Sequence, residues 1–318
     1  MHRMPLTGIP GSNPIGAMAA FGLFRICHCE SPFGGCRLSW KLDSDWRPML
    51  HFEEQCTGDE LTQFLIHRQQ TRTCHAALLW SDDIKSPPEE FRDQVRGCEL
   101  PEVRDFFAAF GSEVVTAKST PDVKPTAFHM TAGQQKFLKS GRNLSASLDL
   151  TQNPSRRDSD ADWQAKLSEA WTETLFGPWM YADDEHSLGW DPTTEGLYAL
   201  SDRSPSAAGP TSVRGAVWLA FESLPLFPCV PTFTGNAQSS LVLHTTGFDA
   251  GSEHFSWPVW ETPISFEALE CLITSPSLSG DVSGMKELID RGCAAVFRSR
   301  CLRDGNGRGT FRNARQLI

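Results

Sequence analysis

The stretch Ser12 to Ile26, SNPIGAMAAFGLFRI, constrains the fold more than any other. No residue from Ile15 to Leu23 is charged or strongly polar. Ser12 or Asn13 supplies an oxygen to cap the first helical turn, and Pro14 suits the first helical position, where its missing N–H costs nothing. Gly16, Ala17, Ala19, Ala20 and Gly22 lack bulk, so another backbone can approach closely. A helix that is apolar all round belongs inside a core, and the remaining elements are expected to be built around this one.

The chain of 318 residues is long enough for one large domain or two ordinary ones. Ser119 to Pro125 is polar and bounded by prolines, which divides the chain into an N-terminal subdomain, 1–118, and a C-terminal subdomain, 126–318, unless the two run on as one domain. Ten Trp and twenty Phe argue for a folded globule. A formal charge of −10 excludes a surface that grips nucleic acid everywhere but leaves room for a local basic patch. No apolar run reaches the roughly 20 residues that span a bilayer. The first helix lacks a small-x-small cleavage site, so it does not read as a signal peptide and no membrane association is expected. Ten cysteines without a secretory signal read as reduced thiols in a cytoplasmic protein, most of them small buried hydrophobes.

The elements predicted along the chain give an α+β fold, with apolar central helices packed on antiparallel hairpins. Cys36 to Leu42 and Trp46 to Phe52 alternate and form a hairpin around Asp43-Ser44-Asp45, with Pro48 placing the second strand near an edge. Thr57 and Glu60 have capping-box spacing at the head of a helix to Gln69. A strand is expected at Ala76–Trp80, and helices at Pro87–Val95 and Pro101–Phe110. Val114–Ala117 is short and β-like. A helix starts near Ala132 and another covers Trp163–Leu175. Strands follow near Trp179–Ala182 and Leu197–Leu200, flanking a turn at Gly189–Thr194, and then a mobile Ser/Pro/Gly-rich loop, Ser204–Gly215. Ala216–Leu224 is a second mostly apolar helix. Strands at Leu241–Thr246, Phe255–Trp260 and Ala294–Arg300 and helices at Phe266–Thr274 and Met285–Arg291 precede a Gly/Arg-rich tail.

Three groups of residues could carry chemistry. Asp183, Asp184 and His186, with Asp191 nearby, offer ligands to magnesium, manganese or a transition metal, the equipment of a metal-dependent nuclease or hydrolase. The competing reading is a solvated loop, with Asp191 before Pro192 serving as a turn or cap residue. Cys27, His28, Cys29 and Cys36, with His51, have the wrong spacing for a zinc knuckle and read as thiols. Arg298, Arg300, Arg303, Arg308, Arg312 and Arg315 fall within eighteen residues against one acid, Asp304. On a flexible glycine-rich backbone, with Phe311 and Asn313 among them, they could contact phosphates. Salt bridges to the acidic body are the alternative. Trp179, Tyr181, Trp190, Trp257 and Trp260 read as core before they read as a base-stacking surface. There is no G-x-S-x-G, and Gly305–Gly309 lacks the Lys-Ser/Thr of a phosphate loop.

Several of these stretches together resemble CRISPR-associated proteins of type I-G (formerly I-U) systems, an accessory or large-subunit-like group that includes an extension of the helicase-nuclease. Asn13-Pro14-Ile15-Gly16 and Ala19 to Arg25 are similar to their opening helix, and Arg37–Trp40 with Trp46–Leu50 to the hairpin after it. Thr131–Leu138 resembles an "AGQQ" helix. Gly177–Tyr181 and Ser187–Pro192 resemble a central hairpin, and Trp218–Pro228 the helix beyond. The match covers most of the chain. It implies a non-catalytic component of a type I interference system in RNA-guided antiviral defence. Such a component is expected to bind effector subunits or the helicase-nuclease, and could contact an RNA or DNA backbone. The resemblance carries over neither catalytic residues nor a cofactor. Cys27-His28-Cys29 departs from the pattern.

Overall fold

The computed structural model describes residues 1–72, 75–155, 158–185, 187–193, 212–233, 240–280, 282–305 and 307–318, the side chains of 282 and 283 aside. The chain is α+β. It begins β1 (His2–Pro5), α1 (Pro14–Glu30), β2 (Cys36–Leu42), β3 (Trp46–Phe52), α2 (Gly58–Arg72), α3 (Ala76–Leu79), α4 (Pro88–Gly97) and α5 (Pro101–Phe110). Next come β4 (Gly111–Thr116), β5 (Val123–Pro125), α6 (Phe137–Ala146), α7 (Asp160–Phe176), α8 (Arg214–Glu222), a 3-10 turn (Leu224–Leu226), β6 (Cys229–Phe233) and β7 (Leu241–Thr245). It ends with β8 (His254–Trp260), α9 (Phe266–Ile273), α10 (Pro276–Ser279), α11 (Val282–Asp290), β9 (Cys293–Arg303), β10 (Gly309–Phe311) and β11 (Arg315–Gln316). All the strand pairs among the described residues are antiparallel. No helix among the described residues is long and apolar enough to cross a membrane.

Asn13 caps α1 by accepting a hydrogen bond from Ile15 N at 3.1 Å. The helix is buried from Pro14 through Cys27. Its neighbour is α8, whose residues Gly215 to Glu222 are also buried. A Cβ on Gly22 would stand 1.8 Å from Leu219 O and 2.8 Å from its carbonyl carbon, so glycine lets the two helix backbones touch. Phe21 lies between the sheets, edge-on to Trp40 of β2 and stacked on Trp260 of β8. Trp260 Nε1 donates to Leu38 O at 2.8 Å and Trp257 Nε1 to Gly11 O at 2.9 Å, which satisfies both buried indoles and ties β8 to the N-terminal sheet. The main hydrophobic cluster runs from Met4 to Phe311 and draws on residues either side of 119–125.

An ion network closes one end of the α1–α8 pair. Glu222, buried at the end of α8, accepts from Arg68 Nη1 at 2.8 Å and Arg25 Nη1 at 3.2 Å. Arg72 of α2 donates to Glu102 of α5 at 2.7 Å and to Glu30 at the end of α1. Burial alone would raise the Glu222 carboxyl, but Arg68 and Arg72 outweigh it and hold it down at about 2.

Several expectations are corrected. β3 is the central strand of the order β1-β3-β2, not an edge. Pro48 is tolerated because β1 ends at Pro5, opposite Met49, so the missing N–H falls just past the ladder. Ala76–Leu79 is a helical turn, as its Ala-Ala-Leu-Leu propensity favours when no strand partners it. Within the 119–125 connection, Val123–Pro125 pairs with β4. The helix placed near Ala132 starts at Phe137, because Gly133 adopts a left-handed turn (φ 64°). Trp179–Ala182 is irregular, with Tyr181 at φ 55°, so no hairpin forms there among the described residues. The expected strand Leu197–Leu200 and most of the loop Ser204–Gly215 lie outside the described residues. The C-terminal tail is not a flexible arm, since β10 and β11 fold back to pair with β9.

Gly22→Ala is expected to cost more than about 3 kcal/mol in urea unfolding, because two backbones must separate. Gly97→Ala, where a Cβ meets nothing within 4 Å, should be neutral or slightly stabilising. Glu222→Gln should cost about 3–5 kcal/mol by leaving buried guanidinium groups uncompensated. The folded carboxyl lies below its ordinary 4.5, so its contribution is present above that pH and lost as the pH falls towards 2. Acid titration of the unfolding free energy should therefore be shallower in Glu222→Gln than in the parent.

Candidate anion-binding pocket

A cavity of about 560 Å³ opens where β5, the end of β9 and the Gly251–Glu253 loop meet. Lys85, Lys124, Arg300 and Arg303 line it, against one carboxylate, Glu253. The fold builds this concentration of charge in steps. β5 exists because Gly111 and Thr116 of β4 register with Pro125 and Val123, which sets Lys124 between them. Lys85 lies between Asp83 and Ser86, whose carbonyl accepts from Val123 N at 2.9 Å. β9 carries Arg300 and Arg303 to the opening because β8 and β10 pair along it as far as Arg303.

Arg303 is held by the pocket wall, donating from Nη2 to Ala127 O at 2.6 Å and from Nη1 to His129 O at 3.0 Å. Arg300 is exposed. Lys124 is half-buried, and no ion pair to it, to Lys85 or to Arg300 forms among the described residues. Burial pushes the Lys124 ammonium below its ordinary value, and Lys118 and Arg303 push the same way. One wall is fixed by His129, whose Nε2 donates to Asp83 at 2.6 Å and whose ring stacks on Phe137. Burial would raise the Asp83 carboxyl, but the His129 hydrogen bond prevails and holds it below its ordinary range. The pocket thus offers uncompensated cations and backbone-anchored donors, which suits an anion with several oxygens.

A second cavity, of about 710 Å³, lies over the ion network. Arg25 and Arg72 there already face Glu30 and Glu102, and Asp105 and Glu270 add further acid, so it offers an anion little.

The arginine series is divided by the structure. Arg300 and Arg303 enter the cationic pocket. Arg298 is a structural donor, to Ser256 Oγ and Gly280 O at 2.8 Å each. Arg308, Arg312 and Arg315 are exposed on the strands and turn beyond. Lys85 and Lys124 are the residues that sequence reasoning missed. Lys85 sits in the connection before α4 and Lys124 in the short strand β5, and no spacing links either to the arginines.

The acidic group does not assemble among the described residues. Asp183 bridges Ser212 through its backbone and accepts from Arg214 N at 2.8 Å, capping the start of α8. Asp184 is exposed. Asp191 is buried and accepts from Asn13 Nδ2 at 3.1 Å and Thr193 N at 2.9 Å, with its carboxyl raised by burial. His186 lies outside the described residues. No set of three or more His, Cys, Asp or Glu placed for a metal ion occurs among the described residues. The thiols at Cys27 and Cys36 are buried beside each other, whereas His51 pairs with Ser39 Oγ at 2.8 Å and His28 stacks on Phe266, so the two histidines have other partners. Trp190, Trp257 and Trp260 are core residues, and Trp179 and Tyr181 pack partly buried against the main core.

No protein-family model matches the chain, and no curated protein matches it. Asp183→Ala is expected to lower stability by about 1 kcal/mol through the lost cap on α8. Urea unfolding measures it, and the loss should be the same with and without manganese.

Proposed function

We propose that this protein is an accessory nucleic-acid-binding component of a type I CRISPR interference complex, acting in the cytoplasm. In this reading the pocket of Lys85, Lys124, Arg300 and Arg303 holds a phosphate of an RNA or DNA backbone. One observation carries the binding role. Lys124 is half-buried and crowded by cations in a chain of net charge −10, without an ion pair among the described residues. Packing like charges in an acidic protein costs free energy, and an incoming phosphate relieves that cost. The resemblance of the opening helix, the first hairpin and the Trp218–Pro228 stretch supports the CRISPR assignment. In such complexes base pairing reads sequence while protein subunits hold backbones and one another. The acidic remainder of the surface suits basic partner subunits, the effector proteins or the helicase-nuclease.

Fluorescence anisotropy with a labelled single-stranded RNA, and the same sequence as DNA, tests the pocket. The double variant Lys124→Ala, Arg300→Ala should weaken binding at least tenfold at 100 mM salt. The slope of log affinity against log salt should fall by about 0.7, the worth of the one phosphate the pocket holds on a single strand. Arg308→Ala with Arg315→Ala should change it less. Equal binding by the pocket variant would overturn the reading. Gentle purification from the native host should bring guide RNA and effector subunits with the protein, and a solitary protein would contradict the CRISPR role.

A further inference from the structure

Next to the cationic pocket stands a histidine that the binding role does not use. His254 begins β8, and its cross-strand partner in register is Arg300. Directly opposed residues share a face of the sheet, with Cβ atoms about 4.5–5.5 Å apart. His254 Nδ1 lies 2.8 Å from Asp249 Oδ2. The other carboxylate oxygen, Oδ1, accepts from Glu253 N at 2.8 Å and His254 N at 3.2 Å. Asp249 N donates to His254 O at 3.0 Å, and Ser252 turns the loop at φ 56°. The carboxylate is therefore fixed before any ligand arrives, and it holds the imidazole in one tautomer. In the neutral imidazole, with Nδ1–H given to Asp249, Nε2 carries the lone pair. The His254 side chain is 31% exposed, and no described residue hydrogen-bonds to Nε2.

A base oriented by a carboxylate beside an exposed guanidinium, on the rim of a pocket that takes phosphate, has the parts for transesterification of RNA. We infer that Asp249, His254 and Arg300 form an acid–base site that cleaves single-stranded RNA, which goes beyond binding but rests on the pocket holding the strand. RNA is the fitting substrate class because its 2′-hydroxyl is a nucleophile already in place, so the protein need only accept a proton and stabilise charge. His254 Nε2 takes the 2′-hydroxyl proton, and the 2′-oxygen bonds to the adjacent phosphorus. Arg300 stabilises the negative charge that builds on the phosphoryl oxygens. The bond from phosphorus to the 5′-oxygen breaks, and that oxygen takes a proton from water. The imidazolium returns its proton to the hydroxide so formed. The products are a 2′,3′-cyclic phosphate and a 5′-hydroxyl, with no co-reactant consumed. Asp249 is a positioning residue that acts through His254.

The test incubates the full chain with a labelled single-stranded RNA, and with the DNA of the same sequence, in EDTA. Products are identified by mass spectrometry and binding is followed in the same samples. The inference expects RNA cut to cyclic-phosphate ends and DNA left intact. His254→Ala and His254→Gln should each lower the cleavage rate at least 100-fold while binding RNA as the parent does. Asp249→Asn should lower kcat about tenfold at unchanged KM, with a parental far-UV spectrum. RNA that is bound and left whole would overturn the cleavage site while leaving the binding role standing. Cleavage that persists in both His254 variants would also overturn it. Loss of binding by the parent chain would overturn the pocket itself.

Discussion

The direct backbone contact of α1 with α8 is the constraint on which the other elements depend. Gly22 brings the helices within reach of each other's peptide groups. Two apolar helices packed this closely present outward faces that sheets must cover. Trp40 and Trp260 meet at Phe21 from the two sheets, one edge-on and one stacked, and these ring contacts fix where those sheets lie. At the far end the pair is closed by charge. Glu222 and three arginines from α1 and α2 form a buried set in which each charge is compensated by its neighbours. Such a set adds little net stability over a hydrophobic filling, but it penalises any arrangement that separates its members. It thereby fixes the register between α1, α2, α5 and α8.

The cationic pocket is the opposite electrostatic case. Around Glu222, cations and carboxylates meet within the fold. Around Lys124 they do not, and Arg303 is held by carbonyl oxygens that orient it without neutralising it. The chain as a whole is acidic, so this surface is a local exception, and local exceptions in charge are where partners of opposite sign dock. The pocket sits at the end of β9, a strand whose other end is covered by α10 and α11 over a small separate core of Leu278, Met285, Leu288, Cys293 and Val296. One strand therefore carries a structural arginine, Arg298, and pocket-lining ones, Arg300 and Arg303, within six residues.

Much of the fold was legible in the sequence because its signals are local. The cap and apolar run of α1, the β2–β3 hairpin and the Thr57/Glu60 box, with Thr57 N donating to Glu60 at 2.7 Å, are each set by neighbours in sequence. Where long-range pairing decides, local signals fail. β1 and β6 carry prolines and few alternating residues, and they form because β3 and β7 offer partners. The arginine-rich tail reads as flexible from its glycines, yet Phe311 is buried against Phe248 and Phe255 and anchors it. Half of the pocket was legible, as Arg300 and Arg303. Lys85 and Lys124 were not, because each is an isolated lysine that only the β4–β5 pairing brings to the arginines. Asp183 and Asp191 leave two readings open, cation ligands or loop and cap residues, because acids near in sequence look alike; the fold uses Asp183 to cap α8 and Asp191 as a turn residue that also holds Asn13.

Photocrosslinking of a 4-thiouridine RNA to the protein, with adducts mapped by mass spectrometry, tests the central claim most directly. If the pocket holds the strand, adducts fall on the peptides that contain Lys124 and Arg300–Arg303. Adducts confined to residues 308–318, or spread over the surface without preference, would contradict it.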